Sequence, residues 1–279
     1  MTFRSAMLGV ASIALGLLVW AVVRESPSFL IGRGKVDKAH RHAAKVISEP
    51  LELEPERQLA VVGEPEGTRT GIFHPSNLRI TLGCALALGA SIAVVYGFSG
   101  WSPIILKSVG FQDSELSGAN FALGLVSVIG ALVSGHACRV FGSRRIMAWC
   151  PIGTFLCVVA LAFVIEGIDT APTDVERWAI YSLVGLAGGV ASICVAAPYS
   201  IMTMGYPVSC VSSGVGLGML AGRLGGVGMS LAGGYLLDLG GTSVLPFFFT
   251  TAILALLVSA SAWIIDRHIP PRGTELAEH

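Results

Sequence analysis

Arg223 is the residue whose type and position most suggest chemistry in this chain. It lies near the middle of a glycine-rich apolar stretch, Gly214 to Leu237, that is long enough to cross a bilayer as a helix. A guanidinium within a membrane span costs about 2.5 to 3.5 kcal/mol on insertion scales, so it needs a partner or a water-filled cavity. Two interpretations follow. Arg223 holds an anionic solute or a coupling charge, or it bonds a neighbouring helix or reaches toward the cytoplasmic surface.

The same stretch predicts how its helix packs. Glycines recur at strict four-residue spacing and form a ridge without side chains, along which a second helix can approach closely: Gly214, Gly218, Gly222 and Gly226. Arg223 lies beside this ridge and shares a face with Met219 and Ser230. We therefore predict a tightly packed helix that presents one cation beside its packing surface.

Small polar side chains in other apolar stretches are further candidates for lining a solute pathway. They recur on one face of two predicted helices, and a tyrosine lies near the predicted outer end of a third: Asn120 and Ser127, Ser182 and Ser192, and Tyr96. Small polar residues also hold neighbouring helices together without contacting a solute. Tyr96, like Trp101, is typical of a residue that anchors a helix at the membrane interface. Both alternatives stay open for these residues.

The elements that must position these residues are membrane helices. Hydrophobic residues make up 53% of the 279 and charged residues 13%, with a mean hydropathy of +0.73, whereas about 25% would be charged in a soluble domain. The formal net charge is zero, which gives no indication of nucleic-acid binding. The six cysteines form no paired motif and lie in or beside apolar runs, so we predict no disulfide framework, metal site or cofactor.

Apolar runs divide the chain into about seven spans, which predicts an all-α polytopic transmembrane helix bundle. Residues 1–23 form a first helix, 24–77 a polar cytoplasmic loop, 78–266 a six-helix bundle and 267–279 a cytoplasmic tail. A signal peptide is the alternative for the first run, but no small-x-small cleavage site follows it. The six later spans are predicted at Leu78–Phe98, Gly118–Cys138, Ile146–Glu166, Trp178–Pro198, Gly214–Leu237 and Val244–Ile265. The third and sixth of these are apolar nearly all round, which is typical of helices that face lipid.

Charged residues between the spans predict how the chain is oriented. The loops on one side carry mainly basic residues, Arg139, Arg144, Arg145 and Arg267, and those on the other mainly acidic ones, Asp113, Glu115, Asp169, Asp174, Glu176 and Asp238. By the positive-inside rule, the N-terminus lies outside and the C-terminus in the cytoplasm. We therefore expect an integral, multi-pass membrane protein whose first partner is the lipid bilayer.

Several short motifs occur in a fixed order along the chain. They are Glu25-Ser26-Pro27 with Leu30, then Trp101 with Pro103, then Tyr206-Pro207 followed by Gly222-Arg223-Leu224-Gly225. In order and spacing they resemble the sixth to twelfth helices of major facilitator superfamily transporters, in the sugar-porter, organic-acid and synaptic-vesicle-like branch. The resemblance implies the C-terminal half of a major-facilitator-type fold and secondary transport by alternating access.

The chain also departs from that family's pattern. The cytoplasmic loop motif of the family, roughly GxxxDRxGRR, is present here in altered form: Gly135, Arg139, Gly142, Arg144 and Arg145. Arg139 replaces the acidic residue, and Val140 replaces the arginine that follows it. Nothing matches the family's first five helices. Since one half has no closed pathway, we expect it to pair with a second half or another copy, or to be a truncated remnant.

These features predict a secondary transporter, or part of one, for a small organic solute, with a proton or cation as the coupling ion. An anion is the form of solute that Arg223 favours. The alternative is a membrane protein derived from a transporter that no longer transports. An enzyme is not expected. Gly97-Phe98-Ser99-Gly100 is similar to the nucleophile motif of rhomboid intramembrane proteases, but His136 lies at the opposite predicted side of the membrane from Ser99.

Overall fold

The computed structural model describes residues 71–168, 172–207, 210–241 and 243–271. Every regular element in these residues is an α-helix: α1 Pro75–Ser108, α2 Asp113–Phe141, α3 Ser143–Glu166, α4 Asp174–Gly205, α5 Val211–Gly240 and α6 Leu245–Ile264. The first predicted helix, residues 1–23, lies outside the described residues, as do most of the predicted loop and the tail from position 272 onward.

All six described helices are long and apolar enough to cross a membrane. The shortest, α6, has 20 residues. At 1.5 Å per residue this is about 30 Å, the thickness of a bilayer's hydrocarbon core. The six later spans and the all-α polytopic bundle predicted from the sequence are therefore confirmed. Five of the helices extend beyond the predicted apolar run, because a helix continues to its cap rather than to its last apolar residue.

Helix α1 extends furthest beyond the prediction. It continues past Phe98, through Trp101 and Pro103, to Ser108. The expectation that Trp101 lies beyond this helix, and Tyr96 near its outer end, is therefore wrong. Pro103 removes one backbone donor, which membrane helices tolerate when neighbouring groups satisfy the freed carbonyl. Trp101 and Tyr96 consequently lie along a helix that packs against its neighbours.

Two helices begin with capping boxes. Gln112 and Thr173 are the N-caps of α2 and α4, and the side chains of Glu115 and Glu176 accept bonds from the cap backbone N–H groups. Each box satisfies N–H groups that would otherwise lack partners, and places a carboxylate near the positive end of a helix dipole. The sequence thus sets a defined start for both helices.

Successive helices run in opposite directions, so the bundle has two chemically different ends. The arginine-rich end holds Arg139, Arg144, Arg145 and Arg267. The acidic end holds Asp113, Glu115, Glu166, Asp174 and Asp238.

Helix α1 is the centre of the bundle. It packs against α4, α5 and α6, while α2 packs mainly on α4, and α3 packs on α4 and α6. In the most apolar window of each helix, 56% of residues are buried in α1, compared with 22% in α5 and 11% in α2. Helices α2 and α5 therefore present the least covered faces of the described bundle, and Arg223 lies on one of them.

Candidate functional site

Arg223 and Tyr96 form a pair across the α1–α5 interface. The guanidinium Nη1 of Arg223 donates a hydrogen bond of 3.0 Å to the hydroxyl of Tyr96. Both residues are exposed, Tyr96 to 44%. A neutral hydroxyl satisfies one guanidinium donor but does not neutralise its charge. Among the described residues, the pair therefore keeps a cation with several free donors on an exposed helix face.

The glycine ridge of α5 is what allows this pair to form. All four of its glycines are buried. Each faces a side chain from a neighbouring helix or its end: Tyr206 over Gly214, Met202 and Leu88 over Gly218, Ile92 over Gly222, and Ile92 with Tyr96 over Gly226. A methyl group on Gly226 would lie 3.3 Å from the Tyr96 ring. Because Gly226 has no side chain, the Tyr96 ring can pack against it in a position where its hydroxyl reaches Arg223.

Backbones approach most closely where two glycines face each other. A Cβ added to Gly225 of α5 would collide with the carbonyl oxygen of Gly89 on α1, and the same holds for Gly130 of α2 against Gly189 of α4. Because a backbone carbonyl cannot move aside as a side chain can, the first contact needs glycine at Gly225 and the second needs glycine at Gly130. These contacts fix the register of α5 on α1 and of α2 on α4.

Two of the predicted cavity serines meet at the α2–α4 interface. Ser192 donates from its hydroxyl to the carbonyl of Gly188 at 2.9 Å, and the Ser127 hydroxyl lies 3.2 Å from the position of a Cβ on Gly188. Both serines are half-buried. Asn120 and Ser182 are exposed and have no hydrogen-bond partner within the described part of the chain.

Ser230 lies on the exposed side of α5, and its backbone carbonyl accepts a bond of 3.3 Å from the indole N–H of Trp101. The Trp101 ring packs over Gly233 and Gly234. Trp101 is thus a second aromatic residue of α1 that α5 glycines accommodate.

Two cavities in the middle of the bundle are only water-sized. One, of about 10 Å³, lies between α1, α3, α4 and α6, and the other, of about 20 Å³, is lined by residues of α1, α2, α3 and α4. Val94, Thr154 and Ala191 line both. A volume of this size holds one water molecule at most. Neither cavity is therefore large enough for an organic solute.

Larger grooves open at the two ends. A groove of about 710 Å³ at the acidic end contains Glu166 and Asp238 among its lining residues. One of about 530 Å³ at the arginine-rich end lies between α2 and α4 and is lined by Arg139, Ser200 and Thr203, with Ile269 to Pro271 on its other side. Within the described residues, no group of histidine, cysteine and acidic side chains is placed to hold a metal ion.

The residues of the altered loop motif have different surroundings. Gly135, Arg139 and Arg145 are exposed, whereas Gly142 is buried. Gly142 has a φ of 82°, a value that side-chain-bearing residues rarely adopt, and it joins α2 to α3 in one residue. Arg144 lies over the ring of Trp263, with 4.9 Å from its guanidinium carbon to the ring centroid.

A segment after α6, residues 265–271, ties the helix ends together at the arginine-rich end. Ser143 donates its backbone N–H to the carbonyl of Ile269 at 3.0 Å and accepts the Ile269 N–H on its hydroxyl at 2.8 Å. Arg267 donates to the carbonyls of Gly205 at 2.7 Å and Ser76 at 3.1 Å. The segment thereby joins the start of α1, the end of α4 and the start of α3.

His268 completes this segment in its neutral form. Its Nε2 donates to the carbonyl of Ala262 at 3.0 Å, so its Nδ1, 3.3 Å from the Ser143 hydroxyl, is the acceptor. Burial lowers the pKa of His268 below its usual value. The hydrogen bond to Ala262 opposes this shift, the positive charge of Arg144 lowers the pKa further, and weaker interactions with Ile265 and Asp266 raise it. Sequence inspection did not single out either residue, because Ser143 lies within the altered loop motif without being one of its defining residues and His268 belongs to no motif.

An ion pair joins two helices at the acidic end of the bundle. Arg177, in the first turn of α4, pairs with Glu115 of α2 and lies over the Phe111 ring, 5.5 Å from its centroid. Both charged side chains are about one-quarter exposed. The α2–α4 pair is therefore held at this end by charge and in its middle by close backbone packing.

The protease-like motif does not form a catalytic arrangement. Ser99 is inside α1, where its hydroxyl donates to the carbonyl of Val95 at 2.7 Å. His136 is in the last two turns of α2, at the arginine-rich end.

Six long apolar helices, an intramembrane cation and asymmetric charged ends define an integral, multi-pass α-helical membrane protein. The profile of a family described as "Sugar (and other) transporter" matches residues 3–264. The chain belongs to this transporter family of the major facilitator superfamily, which confirms the resemblance noted in its motifs. The chain therefore belongs with transporters and not with enzymes.

Three curated relatives are similar to parts of the chain. Sugar transport protein 5 of Arabidopsis thaliana is 26% identical over 186 residues, which cover 61% of this chain and 36% of that protein. A probable metabolite transport protein of Bacillus subtilis is 24% identical over 57% of this chain and 36% of its own length. The 3-(3-hydroxy-phenyl)propionate transporter of Escherichia coli is 26% identical over 61% of this chain and 40% of its own. The chain thus spans well under half the length of these relatives.

One solved structure, a D-xylose-proton symporter, matches with a TM-score of 0.49 and 19% sequence identity, over 68% of this chain and 47% of that one.

Proposed function

We propose that this chain acts as the C-terminal half of a secondary transporter for a small organic anion, by alternating access. The observation that carries the proposal is Arg223, a cation near the middle of α5 that is exposed and held by Tyr96. Its free N–H donors suit a carboxylate, which accepts bidentate bonds from a guanidinium.

The uncovered faces support a passage shared with a second half. Helices α2 and α5 are the least buried, and they carry candidate polar residues, Asn120, Ser127, Arg223 and Ser230, while Ser182 and Ser192 lie on α4. Transporters of this superfamily rock two halves around a site at the bilayer's midplane. In this proposal, a second half or another copy covers these faces and completes the site.

The relatives' names leave more than one solute class open. One is named for sugars and one for a propionate that carries a carboxylate. Arg223 favours the carboxylate, because a sugar offers no charge to match the guanidinium. Coupling to a proton or cation is part of the proposal. Acidic residues of the described helices lie only at helix ends, so we assign the coupling group to the other half.

The orientation follows the charges. With the arginine-rich end in the cytoplasm and the acidic end outside, the C-terminus is cytoplasmic and an N-terminal helix would begin outside. Labelling engineered cysteines in the loops after α1 and α2 in intact cells tests this directly. Reagent access at the loop after α2, and protection at the loop after α1, would contradict it.

Equilibrium binding of radiolabelled aromatic and aliphatic monocarboxylates and of hexoses to the chain in nanodiscs tests the solute class. Losing a charge-assisted hydrogen bond costs about 1.5–3 kcal/mol, so Arg223→Ala should weaken carboxylate binding by about 10–100-fold, and Arg223→Lys by less. Tyr96→Phe keeps the ring and should have a smaller effect. Leu220→Ala, on the same exposed side of α5, is the matched control. Hexose binding that Arg223→Ala leaves unchanged would contradict the anion proposal.

A second candidate is a membrane protein that no longer transports. The altered loop motif favours it, since exposed Arg139 stands where the family has an acidic residue. This candidate predicts that no solute flux appears in proteoliposomes, and that carboxylate binding is absent from both the wild type and Arg223→Ala.

A further inference from the structure

Two arginines and two tryptophans cluster on the outer surface of α3 and α6, at the arginine-rich end. They are Arg144, Arg145 and Trp149 of α3 and Trp263 of α6, and we name them the headgroup patch. Trp149 and Trp263 are 70% and 67% exposed, and both arginines are exposed. Neither arginine makes a salt bridge within the described residues. Among the described residues, the patch is therefore a positively charged surface with large aromatic rings whose arginines are not paired with an acid.

Arg144 is held in place by an aromatic ring. Its guanidinium carbon lies 4.9 Å from the centroid of the Trp263 ring, within the range of a cation–π interaction. The N–H donors of Arg144 make no hydrogen bond to any described residue, so they remain available to a ligand. The contact with Trp263 also limits the rotamers of a long side chain, so a ligand that binds those donors loses less conformational freedom.

The surface below the patch is apolar along the whole span. On α3 the large hydrophobic residues exposed after Trp149 are Leu156 and Phe163, and on α6 those before Trp263 include Ile253, Leu256 and Leu257. Trp149 lies about 6 to 8 Å along the helix from the two arginines, at 1.5 Å per residue. Tryptophans at this depth are typical of the headgroup level, and the residues beyond them match acyl chains.

We propose that the headgroup patch binds the phosphate of an anionic phospholipid, with the two arginines on the phosphate, the two indoles at the headgroup level and the acyl chains along α3 and α6. Guanidinium groups bind phosphate oxygens through paired, charge-assisted bonds. The first turn of α3 contains no acidic residue that would oppose this. The nearby acid, Asp266, is close enough to Cys84 of α1 and to His268 to interact with both.

Quenching by brominated lipids tests the proposal. A variant that retains only Trp263, with the other tryptophans changed to Phe, is reconstituted in phosphatidylcholine with brominated phosphatidylglycerol or brominated phosphatidylcholine as quencher. A basic residue near a charged bilayer surface contributes a factor of about five in lipid affinity, which corresponds to ~1 kcal/mol. We expect phosphatidylglycerol to be preferred by at least this factor, and Arg144→Gln and Arg145→Gln each to reduce the preference by about fivefold.

Two variants serve as matched controls. Arg139→Gln removes an exposed arginine at the same end but on α2, and should leave the preference unchanged. A variant that retains only Trp178, which is 71% exposed at the acidic end, should show no preference. Because a single-tryptophan variant can fail to fold, native mass spectrometry of otherwise wild-type chains, with and without Arg144→Gln/Arg145→Gln, measures the retained phosphatidylglycerol independently.

Three results would overturn the proposal. They are equal quenching of Trp263 by both lipids, a preference that survives loss of both arginines, and removal of the preference by millimolar glycerol phosphate, which would indicate a site for soluble phosphates.

Discussion

The contact of Gly225 with Gly89 predicts a large difference between two similar substitutions on one helix. In Gly225→Ala the new methyl group meets the Gly89 carbonyl oxygen, a backbone atom of α1. In Gly228→Ala, three residues further along α5, the methyl group has nothing within 4 Å. Both changes raise helix propensity equally, so the difference in melting temperature between the two variants reports the cost of the α1–α5 collision alone.

The expected magnitude follows from overpacking. Inserting one methyl group where the structure cannot relax costs about 1–3 kcal/mol. For a chain of this length, each kcal/mol shifts the melting temperature by about 2–4 °C, so Gly225→Ala should melt about 2–12 °C below Gly228→Ala. The assay is thermal unfolding in detergent, followed by tryptophan fluorescence and by size-exclusion recovery after heating. If Gly225→Ala melts at or above the temperature of Gly228→Ala, the close α1–α5 contact is wrong.

Two further predictions concern the segment 265–271. Arg267→Lys keeps the charge but cannot reach both the Gly205 and Ser76 carbonyls, so it should destabilise the chain by about 1–3 kcal/mol. Arg145→Lys changes an exposed residue and should not destabilise it. Equal melting temperatures of the two variants would contradict the role of the two Arg267 hydrogen bonds. His268 has a lowered pKa, so its docking contributes stability above the pKa of the undocked group, near 6.5, and loses it as pH falls through the docked value. Between pH 7.5 and 5.5 the wild type should therefore lose more thermal stability than His268→Gln, and parallel losses would show that His268 is not responsible.

Hydropathy was sufficient to predict the six described spans, because the thickness of the bilayer sets the length of an apolar run. It could not predict where α1 ends. Gly97, Gly100 and Pro103 suggest a break, but glycine and proline are tolerated inside membrane helices and the helix continues to Ser108. Hydropathy also could not separate a face covered by lipid from one covered by another helix, since both environments are apolar.

The sequence identified Arg223 and Tyr96 separately but did not pair them. Their contact depends on the register of α5 against α1, which the facing glycines Gly225 and Gly89 fix and which no local pattern encodes. The roles of Ser143 and His268 were missed because Ser143 is not a defining residue of the loop motif that contains it, and His268 lies outside any motif. The chain reversal at Gly142 brings the two together. The one available signal was that Ser143 is a polar residue directly after a glycine, Gly142, between two predicted spans.

Access of water to position 223 tests the central claim most directly. In reconstituted membranes, Arg223→Cys is treated with a charged, membrane-impermeant thiol reagent and compared with Leu156→Cys, an exposed position on α3, above the wild-type background of native cysteines. The account predicts that the thiol at position 223 reacts from at least one side and the thiol at position 156 from neither. A protected thiol at 223 beside a reactive one at 156 would contradict it.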